Sequence, residues 1–136
     1  MDEGRPVGLA VGTFTSVSLD PPLVAFLPDR KSRSWPAIEK AGVFCANVVG
    51  DHQEHVCAVF ASKLEDKFAE VEWEPSPSTG SPMIAGCVAW LDCRVEVVHE
   101  AGDHWIVIGR VTELDVANDD AGPLLFFKGG YGRFSP

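Results

Sequence analysis

The sequence predicts a mainly β protein, an antiparallel barrel with short helices at its ends. Ala89, Leu91, Cys93, Val95 and Val97 alternate with Trp90, Asp92, Arg94, Glu96 and Val98, and a side-chain period of two marks a half-buried strand. A turn at Ala101-Gly102-Asp103 and a second β-rich run, His104 to Leu114, make residues 87–114 a hairpin. Helical spacing is confined to two short early stretches, so the order is not the strand–helix alternation of a parallel sheet.

The elements follow in order. Pro6 to Phe14 is apolar and small and ends in hydroxyl residues, which reads as a strand. Asp20-Pro21-Pro22 reads as a turn, because proline fixes φ and has no amide to give a central ladder. Leu23 to Leu27, bounded by prolines, reads as a buried strand. Ser32 to Ser34 open a helix, with Ser34 as N-cap, Pro36 in the first turn, Trp35, Ile38 and Ala41 on one face, and Gly42 as the stop. Val43 to Val49 is rich in β-branched residues and reads as a strand. Asp51 and Glu54 have capping-box spacing before a second helix whose apolar stripe is Val56, Val59 and Phe60. Ser62 to Trp73 reads as a loop or short helix, and Glu74 to Pro82, with its prolines, serines and glycine, as irregular surface chain. After a turn at Asn118–Gly122, Leu124 to Lys128 is a closing strand, followed by Gly129-Gly130-Tyr131-Gly132.

A length of 136 residues indicates one domain. The net charge of −9 leaves no basic surplus to neutralise phosphates, which argues against a nucleic-acid or anionic-membrane binder. An anionic cofactor needs only a local positive pocket. No apolar run reaches the ~20 residues that cross a bilayer, and the first residues are not signal-like, so a cytoplasmic protein is expected. Cys45, Cys57, Cys87 and Cys93 show no short paired spacing and read as buried small hydrophobes in a reducing compartment. His52 and His55 lie close to Cys57, but HExxH is absent and no metal site is expected. GxGxxG, the P-loop and GxSxG are also absent, which sets aside the usual dinucleotide fold and hydrolase.

Three segments can carry chemistry. In Gly12-Thr13-Phe14-Thr15-Ser16-Val17-Ser18, amides and hydroxyls at a strand end can meet a flat polar ring or a phosphate, although spacing alone favours a solvated turn. Arg30-Lys31-Ser32-Arg33-Ser34 places three cations at a helix start, where macrodipole logic disfavours them unless an anion binds; an ordinary N-cap with basic neighbours is the alternative. Gly102-Asp103-His104 puts a histidine at a turn. Such a residue can donate a hydrogen bond or move a proton, yet alone it reads as merely solvated.

Together these segments resemble the flavin reductase-like, FMN-binding split-barrel family. The likeness is carried by Thr13 through Leu23, Ser32-Arg33-Ser34-Trp35, Phe44-Cys45-Ala46-Asn47-Val48-Val49, Asp66-Lys67-Phe68, Gly102-Asp103-His104 with Gly109-Arg110-Val111, and Pro123 to Phe127 with Gly129 and Tyr131. Each piece is modest; their order and spacing together are specific. The resemblance implies a split β-barrel of antiparallel Greek-key type with two or three short helices, in which residues 1–136 form one domain lacking the family's N-terminal helix and first strand. Gly12 stands where many members carry serine or asparagine. The implied activity is NAD(P)H-dependent reduction of FMN or FAD, in a homodimer, with reduced flavin passed to a separate flavin-dependent monooxygenase. The implied flavin-binding residues are Thr13, Phe14, Thr15, Ser16, Val17 and Ser18 at the ring, Ser32, Arg33 and Ser34 at the phosphate, and Asn47, Lys67 and Phe68 completing the pocket. His104 is expected to be catalytic and, with Tyr131, Gly132 and Arg133, to guide the nicotinamide. The alternative is a flavin-binding or flavin-carrier protein without significant turnover.

Overall fold

A computed structural model describes residues 1–135; Pro136, the last residue of the expected domain, lies outside the described residues. The described chain runs through β1 (Thr15–Leu19), β2 (Pro22–Phe26), α1 (Trp35–Ala41), β3 (Val43–Val48), α2 (Glu54–Ala61), β4 (Trp73–Pro75), β5 (Pro82–Ile84), β6 (Ala89–Ala101), β7 (His104–Val116), β8 (Leu124–Phe127) and β9 (Gly130–Arg133). One five-stranded sheet has the order β1-β2-β7-β6-β3. All its pairings are antiparallel, so the fold is mainly β with two short helices. β4–β5 and β8–β9 form separate two-stranded ribbons.

The long hairpin is the spine. β6 and β7 pair from Ala89↔Val116 to Ala101↔His104, with register shifts between Asp92 and Cys93 and between Val95 and Val97. Such bulges bend a strand and increase its twist. One buried cluster joins Phe26, Trp35 and Val107, with Phe14, Ile38, Phe44 and Trp105 packed against it. A second joins Val56, Phe60 and Phe68 beneath Val71, Trp73 and Ile84. Full burial of each such side chain contributes about 1.5–3 kcal/mol. These contacts orient the two helices, whose seven and eight residues are too few to hold a helix alone.

Helix α1 forms as its sequence predicts. Proline sits at its start, Ser34 is the N-cap residue, and Gly42 takes φ 72° and returns its N–H to the Ile38 carbonyl. Ser34 itself makes no side-chain cap. The Ser32 hydroxyl instead accepts from the Ser34 and Trp35 amides, at 3.3 and 3.2 Å.

Four local expectations are corrected. Pro6–Phe14 is not a strand: Pro6, Gly8 and Gly12 weaken it, and β2 already has β1 and β7 on its two sides. The strand begins at Thr15 instead. Pro22 starts β2 rather than ending a turn, because only its carbonyl side is needed at that edge. Gln53, not Asp51, stands at the N-cap of α2. Its buried amide accepts from Gly50 N–H at 2.9 Å and donates to the Ala85 carbonyl at 2.9 Å, tying the helix start to the β5 side. Finally, Glu74–Pro82 is not wholly irregular: Trp73–Pro75 and Pro82–Ile84 pair as a ribbon whose prolines face each other at the turn end.

Candidate functional site

The loop after β2 is bound to the tip of the long hairpin. Trp105 N–H donates to the Pro28 carbonyl and Arg30 N–H to the Asp103 carbonyl, both at 3.0 Å, and Asp29 bridges His104. The Asp29 carboxylate accepts from Lys31 N–H at 2.7 Å, and its carbonyl accepts from Ser32 N–H at 3.0 Å. These bonds tie the loop that carries Ser32, Arg33 and Ser34 to the hairpin tip that carries His104. The His104 ring sits 2.8 Å from Asp103 through Nδ1. That hydrogen bond and the nearby imidazole charge hold the Asp103 carboxyl below its ordinary range.

Ser34 meets a residue 33 positions later. Lys67 Nζ donates to the Phe60 carbonyl at 3.0 Å and lies 3.5 Å from Ser34 Oγ. Pro6, Val7, Gly8, Ser34, Glu65, Lys67 and Phe68 line a recess of about 30 Å³, room for a small polar group. A Cβ on Gly8 would stand 2.8 Å from the Phe60 ring, so glycine lets the backbone lie on that ring. Burial pulls the Lys67 pKa below that of a free lysine. Among the described residues no carboxylate forms an ion pair with it. Phe68 supplies the floor, buried edge-on to Phe60 with ring centroids 4.8 Å apart.

Thr13 to Ser18 lead into β1 and are not among the residues that line the recess. Thr13 Oγ1 accepts from Leu27 N–H at 3.0 Å, fixing the approach to β1. Phe14 packs inward on the first cluster, whereas Thr15, Ser16 and Val17 are exposed and Ser18 is half-buried. The β1–β2 register shifts between Ser16 and Ser18, setting Val17 out of line. β1 is the outermost strand of the sheet, so its outer backbone groups have no sheet partner among the described strands.

The structure thus brings Ser34, Lys67 and Phe68 together, and hangs Ser32, Arg33 and His104 on one loop frame. It puts the other predicted residues elsewhere. Asn47 donates to the Cys45 and Pro82 carbonyls at 3.2 and 3.1 Å and accepts from Ile84 N–H at 2.9 Å, clamping β5 to β3. Tyr131, on β9 with Gly132 and Arg133, stacks at a tilt on Phe126 with centroids 5.4 Å apart. A hydrogen bond with Cys57 of α2, then burial, pushes the Tyr131 pKa up. These contacts differ from those of His104. An open hollow of about 620 Å³, lined by Trp73, Met83 and Trp90 among others, contains none of the predicted site residues.

Two features escaped the sequence reading. Asp92 is fully buried and accepts from the Ser78 and Thr79 amides at 2.9 and 3.0 Å and from the Thr79 hydroxyl. The Arg30 guanidinium lies over the Trp105 ring, 4.1 Å from its centroid. The signal for the second was the Arg30-Lys31 pair, which lacked a partner in sequence. No group of three or more His, Cys, Asp or Glu that could hold a metal occurs among the described residues. All four cysteines are free. Burial, aided by Asp92, pushes Cys45 and Cys93 to about 12, and burial pushes Cys87 to about 11.

Comparison with known proteins places this geometry among relatives. A family described as flavin reductase like domain matches residues 1–135. A flavin reductase of Pseudomonas putida is 59% identical over 133 residues, spanning 98% of this chain and 77% of the relative. The flavin-dependent monooxygenase reductase subunit HsaB of Rhodococcus jostii (strain RHA1) is 47% identical over 136 residues, covering 100% of this chain and 69% of that protein. Among solved structures, a homologue of nitrilotriacetate monooxygenase component B from Mycobacterium thermoresistibile superposes with TM-score 0.95 at 47% identity, over 100% of this chain and 76% of that one. The NADH:FAD oxidoreductase SgcE6 of Streptomyces globisporus C-1027, in complex with NAD and FAD fragments, superposes with TM-score 0.93 at 32% identity, over 100% of this chain and 82% of that one.

Proposed function

The chain belongs to the flavin reductase-like domain family and has its split-barrel fold, and from that premise we propose an NAD(P)H-dependent flavin reductase that supplies reduced FMN or FAD to a separate flavin-dependent monooxygenase. It is an oxidoreductase of the kind its relatives are named for. The observation that carries the site is the meeting of Ser34 with Lys67, a half-buried cation with a hydroxyl beside it and no acidic partner among the described residues. A desolvated ammonium in that state is stabilised by an arriving phosphate.

In this reading Lys67, Ser34, Ser32 and Arg33 hold the flavin phosphate. The ledge Thr13–Ser18 lies along the edge of the ring, where amides and hydroxyls stabilise negative charge gained on reduction. When bound, the flavin supplies the electron-accepting centre that takes the hydride. The chain contributes orientation rather than a nucleophile. His104, steadied by Asp103, guides the nicotinamide. Phe68 and Phe60 keep water from the floor beneath.

The acting unit is a homodimer in the cytoplasm. Leu114 and Val116 are exposed at 57% and 53% beside Leu91 and Ala89, an apolar edge for a second copy to cover. The free thiols suit a reducing compartment. No helix among the described residues is long and apolar enough to cross a membrane.

Anaerobic mixing of protein, FMN and NADH tests the reading: oxidised-flavin absorbance is lost at a rate proportional to protein. Flavin that binds without bleaching would make the protein a carrier instead. Replacing Arg33 and Ser34 by alanine raises the flavin concentration needed for half-maximal rate; an unchanged requirement removes both residues from the phosphate site.

A further inference from the structure

The geometry points to a second phosphate subsite at Arg30, stacked on Trp105, which receives the ADP moiety carried by both FAD and NAD(P)H and absent from FMN. This rests on the reductase reading and deepens it by naming what separates the larger ligands from the smaller.

Arg30 is held from three sides. Its backbone N–H donates to the Asp103 carbonyl at 3.0 Å. Its guanidinium lies over the Trp105 ring, 4.1 Å from the centroid. Its one ion-pair contact among the described residues is Glu100, at 3.8 Å, whose side chain is 78% exposed. An exposed pair at that distance contributes little. The guanidinium is therefore positioned by the indole and the ladder, while its planar fork of donors remains available, the arrangement that suits bidentate recognition of phosphate.

Position supports the ligand class. Arg30 lies four residues before Ser34, so their Cα atoms are within about 14 Å even if the chain were extended. The Asp29 turn between them, closed by Ser32 N–H on the Asp29 carbonyl, shortens that span. Lys31 and Arg33 are exposed neighbours on the same loop. Arg30, Lys31 and Arg33 thus stand on the loop between the Ser34–Lys67 recess and the hairpin tip that carries His104, interleaved with Asp29, Glu100 and Asp103. A ligand with one phosphate is satisfied at the recess. A dinucleotide carries a second phosphate in its diphosphate, and the Arg30 guanidinium on Trp105 is where that phosphate, or the adenine beyond it, meets a cation.

The test compares the protein with Arg30→Met, which keeps an apolar stem over the indole and removes the charge, and with Arg30→Lys. Kd values are measured for FMN, FAD and ADP by titration, and the NADH KM is measured at saturating FMN. Arg30→Met is expected to weaken ADP binding about tenfold and leave the FMN Kd unchanged. A matching rise in the FAD Kd assigns the moiety to the flavin; a matching rise in the NADH KM assigns it to the nicotinamide. Arg30→Lys is expected to recover only part of the loss, because a point charge lacks the fork. Equal loss for FMN and ADP, or no change for any ligand, overturns the subsite. Absence of NADH oxidation by the unaltered protein would instead overturn the reductase reading, and the ADP and FAD titrations would still decide this one.

Discussion

Asp92 and Lys67 are both charges drawn in from solvent, and they are treated in opposite ways. Asp92 is fully buried and saturated, with two amides and a hydroxyl from Ser78 and Thr79 aimed at its oxygens. Lys67 is half-buried and under-supplied, with one carbonyl at 3.0 Å, one hydroxyl at 3.5 Å, and no ion pair among the described residues. A buried charge whose bonds are complete holds structure, because taking it away strands its donors. A charge left short of partners is poised for a ligand. The contrast separates the loop around residue 79 from the recess around residue 67 by chemistry rather than by position.

The largest effect should come from Asp92→Ala. Two amides and a hydroxyl lose their acceptor, and stability should fall by about 3 kcal/mol, read as a lower urea midpoint. FMN affinity per folded molecule should stay as it was. Lys67→Met should do the reverse, raising the FMN Kd about tenfold and moving the urea midpoint little. If Lys67→Met instead destabilised as much as Asp92→Ala and left flavin binding intact, the two charges would be alike.

A smaller effect follows from pH. Burial lowers the Lys67 pKa in the folded chain. Between that value and the ordinary lysine value the unfolded chain holds more protons. Stability is therefore slightly reduced at neutral pH and recovers as pH rises through the folded pKa. Flavin binding runs the other way, since the phosphate needs the ammonium. Affinity should fall as pH rises through the lowered pKa, and Lys67→Arg should retain it there. A fluorescence titration across the alkaline range checks both signs.

The smallest effect is on thiol chemistry. Cys45 and Cys93, pushed to about 12, and Cys87, pushed to about 11, stay protonated at neutral pH. Cys57, half-buried beside Tyr131, should be the first thiol alkylated, as peptide mapping after brief labelling would show.

What could be read in the chain tracks how local each signal is. The β6–β7 hairpin was legible because alternation and a glycine turn sit in one stretch. Helix α1 was legible from Ser34, Pro36 and Gly42. Asp92 was not: alternation groups it with Arg94 and Glu96, which are exposed, and only the covering loop at 78–81 makes its side of the strand an interior. The β4–β5 ribbon was hidden because Pro75 and Pro82 suggest broken chain, yet at the turn end of a two-stranded ribbon they obstruct no central ladder. Ser34 and Lys67 were named through resemblance, but nothing in their 33-residue separation says that they touch. That contact needs α2 to set Phe60 beneath the lysine.

The shifted register at Val17 has a further effect on how the molecule behaves in company. A free outer strand is an invitation for another chain to add itself, hydrogen bond by hydrogen bond. Here the misaligned residue and the prolines that follow at positions 21 and 22 interrupt that row of docking points. The margin can stay bare for a small flat guest without recruiting neighbours into a growing ribbon.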